Sequence, residues 1–99
     1  MAMTIQHKQS DNRGLFFIPD GDDIVAEMTY IRHDPQTIII DHTQVDDELR
    51  GQNIGFQLVQ ASVEWARQQG VKIVPVCVFA AAVFKKKPDF KDVLKEEEL

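Results

Sequence analysis

The sequence predicts an α+β domain with a mixed, mainly antiparallel sheet and a β-α-β-α C-terminal half. Three observations predict this class. Four strand-type runs lie before residue 46 and are separated by turn signals rich in Asp, Asn, Gly and Pro. From about residue 54 the apolar residues recur at helical intervals instead of alternating. A short apolar strand follows that helix, and a strand–helix–strand crossover places its two strands parallel.

The N-terminal half is predicted to form the antiparallel strands. Their expected bounds are residues 4–9, 14–18, 24–33 and 37–45. The fourth strand contains the run Ile38-Ile39-Ile40, which is typical of a strand covered on both faces. Strict alternation along this strand also predicts that Asp41 and His42 lie on opposite faces of the sheet.

The C-terminal half is predicted to contain two helices around a short strand. The first helix opens at about Ile54, carries an apolar stripe and is capped by Gly70. Residues 71–76 form the fifth strand, and residues 78–87 form a second helix that Pro88 ends. Residues 91–99 add a further helical turn, and the tail is expected to fray over about residues 94–99.

Length and composition restrict the class of protein. Ninety-nine residues with 43% hydrophobic content predict one domain spanning residues 1–99. The 11 basic and 16 acidic side chains give a net charge of −5, which disfavours nucleic acid. The sequence shows no apolar run of membrane-spanning length, so a soluble, cytoplasmic protein is expected. A single cysteine, Cys77, cannot form an internal disulfide, and no metal site is predicted.

The stretch Val45 to Gly55, V-D-D-E-L-R-G-Q-N-I-G, points to function. A strand leads through a glycine-containing loop into a helix N-terminus, where backbone N–H groups lack helical partners. Such a cluster of amides, together with the helix dipole, binds anions and favours a phosphorylated cofactor. An ordinary loop and helix start explains the local pattern equally well, so the surrounding sequence must decide.

The same residues resemble motif A of the GNAT acetyltransferase superfamily, whose acyl-CoA loop reads Gln/Arg-x-x-Gly-x-Gly/Ala. Arg50 fills the first position and Gly55 the last, while Asn53 replaces the central glycine. His42-Thr43-x-Val45, Glu48-Leu49-Arg50-Gly51, Trp65-Ala66 and Val74-Pro75-x-Cys77 are similar to a minimal GNAT-like subfamily of about one hundred residues. The resemblance covers roughly Gly14 to Val93 and implies a truncated GNAT fold without the N-terminal helices of full-size members.

The resemblance implies a site for acetyl-CoA. Its pyrophosphate is expected on the loop and its pantetheine arm along the end of the fourth strand. The implied binding residues are Val45, Arg50, Gly51, Gln52, Asn53, Ile54 and Gly55. Because asparagine tolerates left-handed φ better than other non-glycine residues, Asn53 is expected to preserve the turn.

Two residues are candidates for catalysis. Cys77 ends the fifth strand beside a helix N-terminus, where a thiol pKa is lowered, and it is either a thioester-side nucleophile or a small buried hydrophobe. His42 is either a general base for an incoming amine or a histidine hydrogen-bonded within the sheet.

The predicted function is acetyl-CoA binding with transfer of the acetyl group to an unidentified amine. The alternative is a non-catalytic acyl-CoA-binding or sensing module, because little sequence remains to build an acceptor pocket.

Overall fold

The computed structural model describes residues 4–49 and 51–95 of the chain. It confirms the predicted α+β class, and most element bounds lie within two residues of those expected. The strands are β1 (Gln6–Gln9), β2 (Arg13–Asp20), β3 (Asp23–Asp34), β4 (Thr37–Val45) and β5 (Lys72–Pro75). The α-helices are α1 (Ile54–Gln69) and α2 (Val78–Lys86), with 3-10 helices at Asp47–Leu49 and Pro88–Val93.

The five strands form one sheet in the order β1-β2-β3-β4-β5. The first four pair antiparallel, and β5 pairs parallel to β4, as the crossover predicted. Gly70 ends α1 in the left-handed conformation, with φ 69°, and its N–H donates to the Ala66 carbonyl. The predicted C-terminal turn, 91–99, lies too late in the chain: the second 3-10 helix spans Pro88–Val93, and Leu94 is extended and bridges to Ile73. Residues 96–99 lie outside the described residues.

The hydrophobic core lies on one face of the sheet. Met28, Ile38 and Ile40 are fully buried there against Leu58 and Val63 of α1. Side chains of α2 and the second 3-10 helix join the same apolar cluster, so all described helices that pack on the sheet cover this face. We call the opposite side the open face. Ile39 points to it and is only half-buried, so the prediction of a strand covered on both faces is wrong.

A bulge in β4 overturns a second expectation. The register between β3 and β4 shifts after Thr29, which pairs with His42, whereas Tyr30 pairs with Ile40. Asp41 is the extra residue, and it is exposed on the open face together with His42. The prediction that these two side chains lie on opposite faces is therefore wrong, because alternation resets where an unpaired residue is inserted.

Among the described residues, no helix is long and apolar enough to cross a bilayer.

Candidate functional site

A cavity of about 600 Å³ opens between the end of β4 and the start of α1. The strand supplies one wall, the 3-10 turn and the loop supply the rim, and the N-termini of the two helices supply the other wall. Its lining residues are Thr43, Val45, Leu49, Gly51, Asn53, Ile54, Gly55, Phe56 and Phe79. Apolar side chains on the walls and a polar loop at the rim suit a ligand with an apolar arm and an anionic head.

The loop conformation leaves backbone amides available at the rim. Gly51 adopts φ 85° and Asn53 adopts φ 63°, the left-handed conformation expected for this asparagine. Asn53 precedes the helix without capping it through its side chain. The Gln57 amide donates to the Asn53 carbonyl at 3.1 Å. The amides of Gly55 and Phe56 have no such partner: one turn before them, the described part of the chain provides no backbone acceptor.

Gly55 is required by close packing between the two helices. A Cβ at this position would lie 2.5 Å from Cζ and 2.7 Å from Cε2 of the Phe79 ring. The absence of a side chain therefore lets Phe79 of α2 lie directly against the first turn of α1 and form part of the cavity wall.

Among the described residues, no strand pairs with the end of β4 on the cavity side. Pairing with β5 ends at Ile40, whose carbonyl accepts from the amides of both Val76 (3.0 Å) and Cys77 (2.9 Å). Beyond that point the chain turns away into α2. Because the Asp46 amide donates to Val25 of β3, strand alternation directs the amides and carbonyls of Thr43 and Val45 away from β3, towards the gap.

Cys77 lies at this gap. Its half-buried thiol donates to the Thr43 hydroxyl at a sulphur–oxygen distance of 3.4 Å, and Thr43 lines the cavity. Burial raises the pKa of the thiol. Once the thiol is ionised, the Thr43 hydroxyl and the backbone amides of Ala80, Phe79 and Thr43 donate hydrogen bonds to the thiolate. These more than offset burial, so the pKa of Cys77 lies below its ordinary value. The thiol sits at the N-terminus of α2, where the dipole also favours a thiolate.

His42 is not among the residues that the structure brings to the cavity. Its side chain is exposed on the open face, while its neighbour Thr43 faces the cavity. His42 and Cys77 therefore lie on opposite sides of the sheet at the end of β4. The gap between them is the unpaired edge of β4 after Ile40, where β5 no longer separates the two faces.

Five of the seven predicted binding residues line the cavity: Val45, Gly51, Asn53, Ile54 and Gly55. Gln52 is exposed beside it, and its carbonyl accepts from the Gln57 side chain at 3.3 Å. Arg50 lies outside the described residues. Four further lining residues were not predicted. Alternation from Val45 identifies Thr43, Leu49 belongs to the 3-10 turn, and only helix packing brings Phe56 and Phe79 to the wall.

Sequence comparison identifies the class of protein that this fold and cavity define. Residues 15–93 match the profile of the GCN5-related N-acetyl-transferase family. The chain therefore belongs to that family, whose members are acetyl-CoA-dependent N-acetyltransferases. Among curated proteins, no sequence matches this chain significantly.

Solved structures agree with this assignment. A GCN5-like candidate N-acetyltransferase from Staphylococcus aureus, determined by NMR, is 40% identical, with a TM-score of 0.72 over 94% of this chain and 90% of that one. A Bacillus subtilis acetyltransferase solved in complex with CoA is 17% identical, with a TM-score of 0.63 over 86% of this chain and 74% of that one. A ribosomal-protein-alanine N-acetyltransferase from Brucella melitensis is 13% identical, with a TM-score of 0.63 over 91% of this chain and 67% of that one. At these lower identities the similarity concerns the fold.

Proposed function

We propose that this protein binds acetyl-CoA in the cavity between β4 and α1 and transfers the acetyl group to a primary amine. The observation that carries the proposal is the continuity of the cavity. It joins left-handed loop residues and first-turn helix amides to the free edge of a strand. Family membership supplies the reaction class, and the CoA bound to the Bacillus subtilis acetyltransferase is consistent with the ligand.

The residues that line the cavity match the chemical groups of acetyl-CoA. In the proposal, the amides of Gly55 and Phe56 bind the pyrophosphate, since anions bind where helical N–H groups lack partners. Arg50 and Gln52 remain predicted contacts beside this loop. The pantetheine arm has amides of its own, and the backbone of Val45 and the carbonyl of Thr43 offer a strand edge to them, while the Thr43 amide faces Cys77.

Acetyl-CoA supplies an activated acetyl thioester, and the protein supplies position and proton transfer. An amide at the gap polarises the carbonyl, and a nearby base accepts the proton of the attacking amine. We assign His42 to the base, because it is exposed beside the gap on the side away from the cavity. Cys77 lies beside the thioester in this arrangement.

Cys77 also permits a covalent route, which its lowered thiol pKa favours. In that route the thiolate takes the acetyl group first and passes it to the amine. Mass spectrometry after incubation with isotopically labelled acetyl-CoA separates the routes. An acetyl adduct on Cys77 that an added amine discharges supports the covalent route, and its absence in a turning-over enzyme supports direct transfer.

A non-catalytic acyl-CoA-binding module is the second candidate. The open face favours it, because no described helix packs there to enclose an acceptor. An acetylation assay over primary amines distinguishes the two functions, since only the enzyme releases CoA in step with amide formation.

The first test is ligand-dependent stability. Acetyl-CoA at one hundred times its Kd is expected to raise the free energy of unfolding by about 2.7 kcal/mol. Gly55→Ala is expected to reduce this stabilisation, because the added methyl group pushes on Phe79 in the cavity wall. Gln60→Ala, at an exposed position of the same helix, is the matched control. An unfolding midpoint of the wild-type protein that neither CoA nor acetyl-CoA changes contradicts the proposal.

A further inference from the structure

A second cavity, of about 410 Å³, lies on the other side of the sheet. Lys8 of β1, Leu15 of β2 and Thr29 of β3 form a continuous register row, which continues to His42 of β4. Lys8, Leu15 and Thr29 line this cavity together with Asp41. It is therefore a groove across the open face, running at right angles to the strands and ending at the bulge.

The charges in this groove are separated along its length. At the β4 end, Asp41 accepts from the Thr29 hydroxyl at 2.7 Å, which fixes one carboxylate oxygen. At the opposite end lie Arg13 and Lys8, whose ammonium nitrogen is 5.3 Å from the centroid of the neighbouring Phe17 ring. Within residues 4–49 and 51–95, no ion pair joins Asp41 to either cation. A ligand with a positive group at one end and a negative group at the other complements this arrangement.

The groove also ends at the proposed acetyl-transfer point. Asp41 lies two residues before Thr43, which lines the cavity on the helix side of the sheet. The bulge places His42 on the same face as Asp41, so a carboxylate and an imidazole stand together beside the gap. A molecule in the groove therefore has one end at the free edge of β4 and the other over β1 and β2.

We propose that this groove binds the acceptor and that the acceptor is a primary amine carrying an anionic group at its far end. This inference rests on the proposed function. Asp41 holds the ammonium, and Lys8 and Arg13 hold the anion. The bulge is essential, because strict alternation from the buried Ile40 would place His42 on the helix side, away from Asp41.

The ammonium of the acceptor loses two protons during acetyl transfer. His42 takes one proton from the ammonium, and the neutral nitrogen attacks the thioester carbonyl carbon. The new C–N bond forms, the C–S bond breaks, and CoA leaves as the thiolate. The nitrogen loses a second proton, which converts the thiolate to the thiol, and His42 returns its proton to solvent.

An NMR titration tests the groove without acetyl-CoA. The probes are ω-amino acids of increasing length from β-alanine upward and the corresponding aminoalkyl phosphates. The two series compare a carboxylate with a phosphate as the anionic group. Each is matched with the alkylamine and the diamine of the same length. Zwitterionic probes are expected to shift the backbone amides around Lys8, Thr29 and Asp41, and the matched amines to shift them less.

Kinetics with the wild-type protein provide the second readout. The best zwitterion is expected to exceed its matched alkylamine and diamine in kcat/KM by roughly threefold to tenfold, the range for partly exposed charge contacts. Arg13→Gln is expected to remove this preference, chiefly through the acceptor KM, because it removes a contact to the anion. Asp41→Asn is expected to raise the KM of the zwitterion, the alkylamine and the diamine alike, because each places an ammonium at this carboxylate. Lys91→Gln and Glu64→Gln, at exposed positions on the helix side, are the charge-matched controls.

The outcomes separate the two proposals. Zwitterions that leave the open-face amides unmoved, or diamines that are the better acceptors, overturn the acceptor inference. If acetyl-CoA shifts no amide around Gly51 to Phe56, the proposed function fails, whereas the titration with amines alone still decides whether the groove is selective.

Discussion

Cys77 is the residue whose chemistry depends most on its surroundings. A free cysteine is commonly a small buried hydrophobe, and this thiol is half-buried. The donors that surround it, from Thr43 on β4 and from the first turn of α2, favour the thiolate and lower the thiol pKa. The residue type alone does not imply reactivity, but its place between two elements does.

Replacing Thr43 with valine tests this account. Thr43→Val removes one hydroxyl donor at nearly constant volume, so the pKa of Cys77 should rise and alkylation by iodoacetamide at neutral pH should slow. The measurement is the alkylation rate as a function of pH, with thermal unfolding to verify the fold. Thr29→Val, on the neighbouring strand but facing the other side, is the control. An unchanged pH profile in Thr43→Val argues that the hydroxyl does not tune the thiol.

At the scale of elements, the junction between β4 and α1 positions the candidate site. The strand ends beyond its last β5 partner, a 3-10 turn follows, and two left-handed residues bring the chain into the helix. Gly51 adopts this conformation at little cost, whereas Asn53 does so as a residue with a Cβ. The junction thus leaves first-turn amides and a strand edge facing one cavity.

A pair of substitutions at Asn53 tests the junction. Asn53→Ala should lower the free energy of unfolding by about 1 kcal/mol, because alanine adopts left-handed φ less readily. Asn53→Gly should leave stability within about 0.5 kcal/mol of wild type, since glycine adopts this conformation freely. Urea denaturation measures both. Titration with CoA should show binding to Asn53→Gly at least as tight as to wild type, and an alanine variant as stable as the glycine variant contradicts the assigned backbone conformation.

At the scale of the whole molecule, an aromatic cluster joins the edge of the sheet to α1. The His7 ring stacks on Phe16 with centroids 4.1 Å apart and meets Trp65 edge-on at 4.9 Å. Its Nε2 lies 2.6 Å from the hydroxyl oxygen of the buried Tyr30. Burial and the nearby Arg32 guanidinium lower the pKa of His7 from its ordinary value of 6.5. His7 therefore resists protonation in the folded state.

This predicts a pH dependence of stability. Below about pH 6.5 the unfolded chain binds a proton that native His7 does not, so the free energy of unfolding should fall as pH decreases towards the lowered pKa. The slope due to His7 should stay below about 1.4 kcal/mol per pH unit, the limit for one proton. Urea denaturation between about pH 7 and pH 5 measures it.

The control compares the pH dependence of stability in His7→Gln with that in His33→Gln. His33 is exposed near the end of β3. His7→Gln should flatten the pH dependence, although the lost ring stacking lowers stability at every pH. Equal slopes in the two variants contradict the assignment to His7. The carboxylates of Asp34 and Asp92 have lowered pKa values and contribute at more acidic pH, because their stabilising effect is lost only as pH falls through those values.

Much of this arrangement was determined by the sequence alone. Alternating and helical periods predicted all five strands and both α-helices, because each element must bury one apolar side against the same core. Turn residues marked the boundaries, and Gly70 ends α1 as expected. The loop from Gly51 to Gly55 could be predicted because its constraints are local: backbone φ and helix-end amides depend on neighbours in the chain.

Only the tertiary structure decided what depends on contacts between distant segments. Phe79 reaches the cavity wall because α2 packs on Gly55, and Cys77 meets Thr43 because β5 parts from β4 beyond Ile40. The bulge at Asp41 has no signature in the periodic pattern, yet it leaves Asp41 and His42 side by side on the open face. A sequence period specifies which side of an element is apolar, whereas register and helix packing are set by pairing across the sheet, and these decided which side chains meet.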